Sequence, residues 1–378
     1  MKILYAYEYN AADPEVQSGH PFAILSEFER QGVDVVRAFP LRRVSRWLFA
    51  PKIAYDRIAH SQRYSGERSA IRVGAFARQL QSRVRHHSPD AIFSPGSISI
   101  SRAVVDCPIV FCADATFGGM LDFYPEFSGL SRRYVTEGHR QEGEALSRCA
   151  GAIYPSSWAA DSAIRFYGAD PKKIHVLPFG ANLEAPPRAS VIERVMRRTP
   201  DKVNMLFLGR DWIRKGGDKA VNVVSELRRL GCDARLAVVG PKDPPPLPEW
   251  VSNYGYVPLK TARGTSLFSR LMLDSHFIIG LSRAEAFGLA FCDALTCGLP
   301  AIAHDVGGIS SVVRNGDNGL CFSSNVSERE IAKKVLSLII EEDRYHTMAI
   351  RARDSYEMTY NWQVFVGKAL AICSQAKS

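Results

Sequence analysis

Residues 277–322 constrain the fold more than any other stretch, because they predict a complete βαβ unit. The stretch opens with the apolar run FIIGL, which is typical of a buried strand. A helical pattern follows over about 287–296, and Gly298 and Pro300 stop it. The segment AIAH then predicts a second strand. We expect a parallel sheet with the loop 282–286 at its carboxyl edge, where open α/β sheets bind ligands.

The rest of the chain predicts a two-domain α/β protein. Its 378 residues are too many for one ordinary domain. Strand and helix patterns alternate over 1–185 and again over 186–359, so each half predicts a Rossmann-like domain. The Pro-rich segment EAPPRAS at 184–190 predicts the linker, and a helix over about 360–378 is expected to pack back on the first domain. In the second half, NYGYVP predicts a short strand.

Composition argues against several classes of protein. No run approaches the ~20 apolar residues that a membrane-spanning helix needs, and MKILYAYEY predicts a strand rather than a signal peptide. The eight cysteines form no CxxC or Cys/His pattern, which indicates reduced thiols in a cytoplasmic protein and predicts no metal site. The formal net charge of +9 favours anionic partners such as nucleotide phosphates, anionic lipid or nucleic acid.

The segment 37–90 is unusually basic. It holds twelve lysine and arginine residues against three acids, with apolar and aromatic residues between them, as in RRVSRWLFAPKIAYDRI. We interpret it first as a solvated basic face. The next interpretation is a surface that docks on anionic lipid and holds the protein peripherally on the inner face of the membrane. An anionic acceptor is a further alternative, and nucleic acid is the least favoured because no binding motif accompanies the charge.

Two loops of the second half carry residues suited to a diphosphate. In the loop 209–217, Arg210 can fork onto phosphate oxygens, Lys215 adds a point charge, and glycines let the backbone approach. In the loop after FIIGL, Glu285 precedes a helix that opens near Gly288, and the backbone N–H groups there favour an anion. Neither half contains a complete P-loop or a GxGxxG fingerprint, so a simple ATP or NAD motif is not predicted.

Three further residues are candidates from their positions. Asp293 lies in the helix among apolar neighbours, and a buried carboxylate needs partners; the hydroxyls of a ribose are one candidate, and an exposed helix acid is the alternative. Asp114 follows the predicted strand PIVFC, where a ligand could reach it. Gly19 lies at the first loop–helix junction, which suits close packing and a substrate contact equally.

Together these segments resemble the retaining, nucleotide-sugar-dependent glycosyltransferases of family 4. The resemblance covers 202–322 in order, and more loosely the first half through HVLPFGANLE. It implies the GT-B fold, an α/β fold in which two Rossmann-like domains face each other across an interdomain cleft, with the donor on the C-terminal domain. The motifs that carry it are FLGR…KGGDKAV, LAVVG, YGYV, LSRAEAFGLAFCDALTCGLPAIAHDVGG and NGDNGLCF.

The resemblance also implies roles for individual residues. Glu285 matches the first acid of the family's Glu, seven residues, Glu motif, and Asp293 stands where the second Glu is usual. Ala113 and Asp114 stand where the family often has His-Asp or His-Gly. The predicted catalytic residues are Glu285, Arg210, Lys215 and Asp114. The predicted donor-binding residues are Gly19, Gly209, Arg210, Lys215, Glu285, Ala286, Phe287, Gly288, Leu289 and Asp293.

The implied reaction is sugar transfer from a nucleoside diphosphate sugar to a hydroxyl of a glycan or lipid-linked acceptor, with retention, without a metal and without a cofactor. It would serve glycan, lipopolysaccharide or glycolipid synthesis. One alternative is epimerisation of a nucleotide sugar, which needs an acid and a base that flank the sugar ring. The other is a non-catalytic sugar-nucleotide-binding partner subunit; the missing histidine before Asp114 and the Asp at 293 in place of Glu give it some weight. Nucleotide release with a supplied acceptor separates transfer from both.

Overall fold

Two six-stranded parallel sheets organise residues 1–199 and 201–377, which the computed structural model describes. The chain divides into two units, one formed by Met1–Pro178 with the C-terminal helix and one by Phe179–Asn361. The strand order of each sheet reverses once, beside the first strand of that sheet. The predicted architecture of two Rossmann-like domains is therefore confirmed, and each reversal opens a crevice at the carboxyl ends of its strands.

The first unit consists of six strands and the helices that connect them. Its strands are β1 (Lys2–Ala6), β2 (Asp34–Ala38), β3 (Ala91–Ser94), β4 (Ile109–Cys112), β5 (Gly151–Tyr154) and β6 (Ile174–Val176). The helices are α1 (His20–Arg30), α2 (Ala50–His60), α3 (Ala70–His87), α4 (Phe117–Met120), α5 (Arg132–Arg148) and α6 (Ser157–Tyr167). The strand order is β2-β1-β3-β4-β5-β6. Every residue of β3, β4 and β5 is buried, as expected for central parallel strands that helices cover on both faces.

The second unit repeats this plan. Its strands are β7 (Lys202–Leu208), β8 (Asp233–Val239), β9 (Val251–Asn253), β10 (Phe277–Gly280), β11 (Ala301–His304) and β12 (Gly319–Phe322). The helices are α7 (Arg188–Met196), α8 (Gly217–Arg229), α9 (Ala262–Asp274), α10 (Leu289–Thr296), α11 (Glu328–Ile340) and α12 (Glu342–Met358). The strand order is β12-β11-β10-β7-β8-β9, so the reversal lies between β7 and β10. The loops after these two strands therefore leave the sheet side by side.

The last helix, α13 (Trp362–Lys377), belongs to the first unit. It packs against α1 and against β3, β4 and β5. Near its end, Lys377 Nζ donates to Asp90 Oδ1 at 2.5 Å. The helix was expected to reach Ser378, which lies outside the described residues. Among the described helices, none is both long enough and apolar enough to cross a membrane.

The segment EAPPRAS does not form the linker that its composition predicts. The units divide between Pro178 and Phe179, and α7 begins inside EAPPRAS at Arg188. Pro187, with extended backbone angles, precedes the first turn of α7. Val191 and Val195 then pack against Ala349. The Pro-rich segment therefore precedes and begins helix α7 instead of linking two domains. The buried face of α7 packs against the second unit.

Two element boundaries also differ from the prediction, and a left-handed glycine lies at each. The segment NYGYVP, predicted as a strand, is irregular beyond Asn253, because β9 ends there and Gly255 takes a φ of +59°. Helix α10 begins at Leu289 rather than at 287, because Gly288 has a φ of +103°, which a right-handed helix does not contain.

Candidate active site

The candidate site lies at the carboxyl edge of the second sheet, where β7 and β10 are neighbours. The loop 209–217 follows β7, and the loop 281–288 follows β10. Gly209 still hydrogen-bonds to the sheet, since its N–H donates to the carbonyl oxygen of Val239 at 3.0 Å. The fold therefore brings together the two loops in which the diphosphate-binding residues were predicted.

Lys215 and Glu285 meet directly at this edge. The ammonium group of Lys215 donates to Oε2 of Glu285. Nη1 of Arg214 lies 3.7 Å from the same oxygen and donates to the carbonyl oxygen of Ala284 at 3.0 Å. The Lys215, Glu285 and Arg214 side chains are all mostly buried, and partial exclusion of water strengthens the interaction between such charges. Arg214 was not predicted as a site residue.

Close backbone packing holds the two loops against each other. Gly216 has a φ of +76°, and a Cβ atom there would lie 2.1 Å from the carbonyl oxygen of Leu281. Only glycine fits this position without moving the backbone, because both the conformation and the space exclude a side chain. The residue that follows Lys215 therefore lies directly on the start of the loop that carries Glu285.

Arg283 adds a second connection between the loops. Its backbone N–H donates to the carbonyl oxygen of Arg214 at 2.7 Å. Its guanidinium group makes a bidentate pair with Asp218, with N–O distances of 2.9 and 2.7 Å. The hydrogen bond from Arg283 lowers the pKa of Asp218. A bidentate pair of this kind fixes orientation, so Arg283 positions the loop that carries Lys215.

Arg210, the other predicted phosphate-binding residue, is exposed in the loop after β7. Its guanidinium carbon lies 4.7 Å from the centre of the Tyr256 ring, which is a cation–π distance. Tyr256 belongs to the irregular segment after β9. The Tyr256 ring therefore orients the Arg210 side chain, whereas Lys215 is engaged with Glu285.

The N-terminus of α10 supplies backbone donors beside Glu285. Ala286, Phe287 and Gly288 are buried, and Leu289 is half-buried. The N–H of Gly308 donates to the carbonyl oxygen of Glu285 at 3.1 Å and ties the loop after β11 to the site. Cationic groups and a helix N-terminus at one edge suit an anion. In the part of the chain described, no group of three or more His, Cys, Asp or Glu side chains could hold a metal ion.

Asp293 has different partners from those predicted. Its Oδ1 accepts the backbone N–H groups of Asn182 and Leu183, at 2.7 and 2.9 Å. Burial raises the pKa of Asp293 to about 6, while the two N–H donors act in the opposite direction. The expectation that this carboxylate needs partners was correct, but its observed role is to hold the segment that enters the second unit. A contact between the Asp293 carboxylate and the hydroxyls of a ribose stays a prediction.

Replacing Asp293 separates these two roles. Asp293→Asn keeps an oxygen for the N–H groups of Asn182 and Leu183, so we expect little loss of stability. Asp293→Ala leaves both donors without that acceptor and should lower the free energy of unfolding by about 1–3 kcal/mol. Urea unfolding measures this difference. Equal stability of the two variants would show that the capping contact contributes nothing. Weaker nucleotide binding by Asp293→Asn, at unchanged stability, would indicate the ribose contact.

The predicted residues of the first unit also lie at a carboxyl edge. Gly19 is buried and directly precedes α1, and Asp114 is exposed in the loop after β4. His20, the first residue of α1, follows Gly19, and its Nδ1 is 2.8 Å from the carbonyl oxygen of Gln17. Burial lowers the pKa of His20, and the charge of Asp114 opposes that shift, so the two side chains are close enough to interact. His20 was not predicted, although it follows Gly19 in the sequence.

Glu8 is an unexpected buried acid at the same edge. It follows β1, is only 6% exposed, and its Oε2 has no hydrogen-bond partner among the described residues. Burial raises the pKa of Glu8 to about 7, and the positive charge of Arg68 limits the shift. This carboxyl therefore binds its proton more tightly in the folded chain than in the unfolded chain, where its usual value is about 4.5.

Stability should consequently depend on pH through Glu8. The folded-state pKa lies above the unfolded one, so the free energy of unfolding falls as pH rises from about 4.5 to about 7. A shift of this size corresponds to about 3 kcal/mol. We expect Glu8→Gln to reduce the difference between the free energies of unfolding that urea titrations give at about pH 5 and at about pH 8. Glu15→Gln, at an exposed position, is the control, and an unchanged pH dependence in Glu8→Gln would contradict the prediction.

Two family models match the chain, one in each half. The Glycosyltransferase Family 4 model matches residues 20–185. The Glycosyl transferases group 1 model matches residues 192–355. The gap between the two matches contains the entry to α7, so one match lies almost entirely in the first unit and the other within the second.

Individual relatives agree with these models. D-inositol 3-phosphate glycosyltransferase of Rhodococcus jostii is 30% identical over 217 residues, which cover 54% of this chain and 48% of the relative. The chain thus spans about half the length of that curated relative. Sucrose-phosphate synthase of Thermosynechococcus elongatus superposes with a TM-score of 0.69 at 15% identity, covering 99% of this chain and 98% of the other. Anabaena HepE, in complex with UDP and glucose, gives 0.63 at 16% identity with full coverage of both chains. The chain therefore belongs to the glycosyltransferases of family 4 and has the GT-B fold.

Proposed function

We propose that the chain transfers a sugar from a nucleoside diphosphate sugar to an acceptor hydroxyl with retention of anomeric configuration. The observation that carries the proposal is the cluster of Lys215, Arg214 and Glu285 at the reversal of the second sheet, beside the N-terminus of α10. Cations and helix N–H groups are the donors that a diphosphate needs. The complex of the relative HepE with UDP and glucose supports a donor of this class.

The residues of the second unit would act by stabilising charge. In the reaction, the bond from the anomeric carbon to the diphosphate breaks, and a bond to the acceptor oxygen forms on the same face. The acceptor proton passes to the leaving phosphate oxygen. Arg210, Lys215 and the helix N-terminus at Gly288 would stabilise the negative charge that develops on the diphosphate. Glu285 would hold the donor sugar and, before binding, keep Lys215 in place. These side chains could perform this function without a metal or a cofactor.

The first unit would contact the acceptor. Gly19 and Asp114 lie at its carboxyl edge, where parallel α/β sheets bind ligands. We propose a glycan or lipid-linked acceptor, and a role in glycan, lipopolysaccharide or glycolipid synthesis. The name of the Rhodococcus relative, a transferase acting on an inositol phosphate, supports an acceptor rich in hydroxyl groups. We also propose that the chain is cytoplasmic and contacts the membrane peripherally through the basic segment 37–90.

Nucleotide binding tests the donor site directly. Thermal unfolding is measured with UDP, GDP or ADP, and at about 100 times its dissociation constant the right nucleotide stabilises the folded chain by about 2.7 kcal/mol. We expect one nucleotide to raise the unfolding temperature and Arg210→Ala to reduce that shift. If none of the three nucleotides raises the unfolding temperature, the assignment of the donor site is wrong. Release of the free nucleoside diphosphate from its sugar conjugate, when an acceptor is supplied, then separates transfer from epimerisation and from binding alone.

A further inference from the structure

An exposed apolar surface occupies one side of the first unit. It comprises the 3-10 turn Arg46–Phe49 and the helix α2 that follows. Trp47 is 80% exposed and Ile58 is 84% exposed, and Leu48 and Tyr55 are also largely exposed. Isolated apolar residues are normal on a protein surface, but a contiguous group of large ones indicates a partner.

The solvent-facing side of α2 is the apolar one. Pro51, Ala54, Tyr55 and Ile58 are all exposed. Their spacing of three and four residues places them on one stripe of the helix. On the opposite face Asp56 is buried, so the only acid of the helix faces inward. An ordinary surface helix has the reverse arrangement, with its apolar stripe inside and its charges in water.

Unpaired positive charges lie within the turn and α2 and just before them in the sequence. Arg42, Arg46 and Arg57 are exposed, and within the described residues none of their side chains has a hydrogen-bond or ion-pair partner. Other basic residues of the segment are engaged: Lys52 lies 3.7 Å from Glu137, and Arg63 donates to backbone carbonyl oxygens. Arg78 and Arg85 of α3 are also exposed without such a partner among the described residues. Arg46 and Arg57 belong to the turn and to α2 themselves, so they lie nearest in the sequence to the apolar stripe.

We infer that the turn Arg46–Phe49 and helix α2 form a docking surface for an anionic lipid bilayer. An amphipathic helix at a membrane surface buries its apolar face about 5–10 Å deep, and its basic residues meet anionic headgroups. Tryptophan and tyrosine favour the same interfacial depth, which matches Trp47 and Tyr55. The surface adds a partner to the proposed sugar transfer, but vesicle binding can be measured whether or not the chain transfers sugar.

Two other occupants fit the surface less well. A second copy of the chain would bring Arg42, Arg46 and Arg57 against the same charges, and like charges at an interface cost several kcal/mol. Nucleic acid would use the arginines, but Trp47 and Ile58 would have no apolar partner along a phosphate backbone. An anionic bilayer offers a partner to both features, because its apolar interior accepts the stripe and its headgroups pair with the arginines.

Vesicle co-sedimentation tests the charge part of the inference. Purified full-length protein is mixed with vesicles of phosphatidylcholine alone or with about one third phosphatidylglycerol. We expect binding only to the anionic vesicles, with weaker binding at high salt. The triple variant Arg42→Glu, Arg46→Glu, Arg57→Glu should bind at least about tenfold more weakly, because each basic residue near such a surface contributes about 1 kcal/mol. Equal binding to neutral vesicles, or none to either kind, would overturn the inference.

The apolar part needs its own variants. Trp47→Ser with Ile58→Ser should reduce binding to anionic vesicles about tenfold or more, whereas Ile340→Ser, at a 64% exposed position of α11, is the matched control. Trp47 emission should shift to shorter wavelength with anionic vesicles, and Trp47→Phe should remove that shift. Sedimentation velocity without vesicles, and binding to a duplex RNA, test the other occupants. Self-association or RNA binding that the Trp47→Ser, Ile58→Ser variant abolishes would assign the surface to that partner and overturn the inference.

Discussion

Lys215→Ala is expected to weaken binding of the preferred nucleoside diphosphate about 10- to 100-fold, because a charged hydrogen bond contributes about 1.5–3 kcal/mol. Sugar transfer should fall about 100- to 1,000-fold, the usual effect of removing one group that stabilises a developing anion. Isothermal titration with UDP, GDP or ADP measures the first effect, and nucleotide release measures the second. Lys202→Ala is the control, since Lys202 is an exposed lysine at the opposite end of the same strand, β7.

Stability must be separated from binding in this variant. Without Lys215, Arg214 at 3.7 Å is the one remaining cationic partner of the buried Glu285 among the residues that the structure describes. Breaking a buried pair destabilises a protein by about 3 kcal/mol. The double variant Lys215→Ala, Glu285→Gln removes the uncompensated charge, so its unfolding temperature should recover while nucleotide affinity does not. If Lys215→Ala binds nucleotide within a few-fold of the wild type, Lys215 does not hold the diphosphate.

The βαβ unit of residues 277–322 could be predicted because local signals define it. Its strands are continuous apolar runs, and glycine and proline stop its helix; β10, α10 and β11 confirm the prediction. The position of Glu285 in the loop after β10 follows from the same pattern. The signals for a buried strand and for the end of a helix lie in consecutive residues, so a single sequence is enough to detect them.

The contacts within the site could not be predicted in the same way. Lys215 and Glu285 are 70 residues apart, and only the strand order that sets β7 beside β10 brings them together. No periodicity encodes that order. The pairing of Arg283 with Asp218 was missed for the same reason, because Asp218 lies in the first turn of α8, 65 residues away, and only the strand order brings the two together.

Asp293 shows where a correct physical argument reached an incomplete answer. Apolar neighbours predicted a carboxylate that needs partners, and that expectation held. The observed partners are backbone N–H groups of Asn182 and Leu183, which are 111 and 110 residues away. A backbone donor carries no signal in the sequence, because every residue other than proline has one. Burial could be predicted from the pattern, and the identity of the partner could not.

Gly216→Ala is expected to lower the free energy of unfolding by about 3 kcal/mol or more. The left-handed conformation contributes about 1–2 kcal/mol. The added Cβ would also lie 2.1 Å from the carbonyl oxygen of Leu281, so the backbone of one loop must move. Movement of this loop displaces Lys215 from Glu285, and nucleotide affinity should fall with stability. Calorimetry and nucleotide titration measure the two effects.

Gly231→Ala is the matched control for this experiment. Gly231 follows α8 in the same unit and has a φ of +90°, but nothing lies within 4 Å of a Cβ atom there. Gly231→Ala should therefore lose only the conformational contribution to the free energy of unfolding, about 1–2 kcal/mol. Its nucleotide affinity should equal that of the wild type. The difference between the two variants measures the contact between the loops. Equal destabilisation, with nucleotide affinity unchanged in both, would mean that the packing of Gly216 on Leu281 does not hold Lys215 in place.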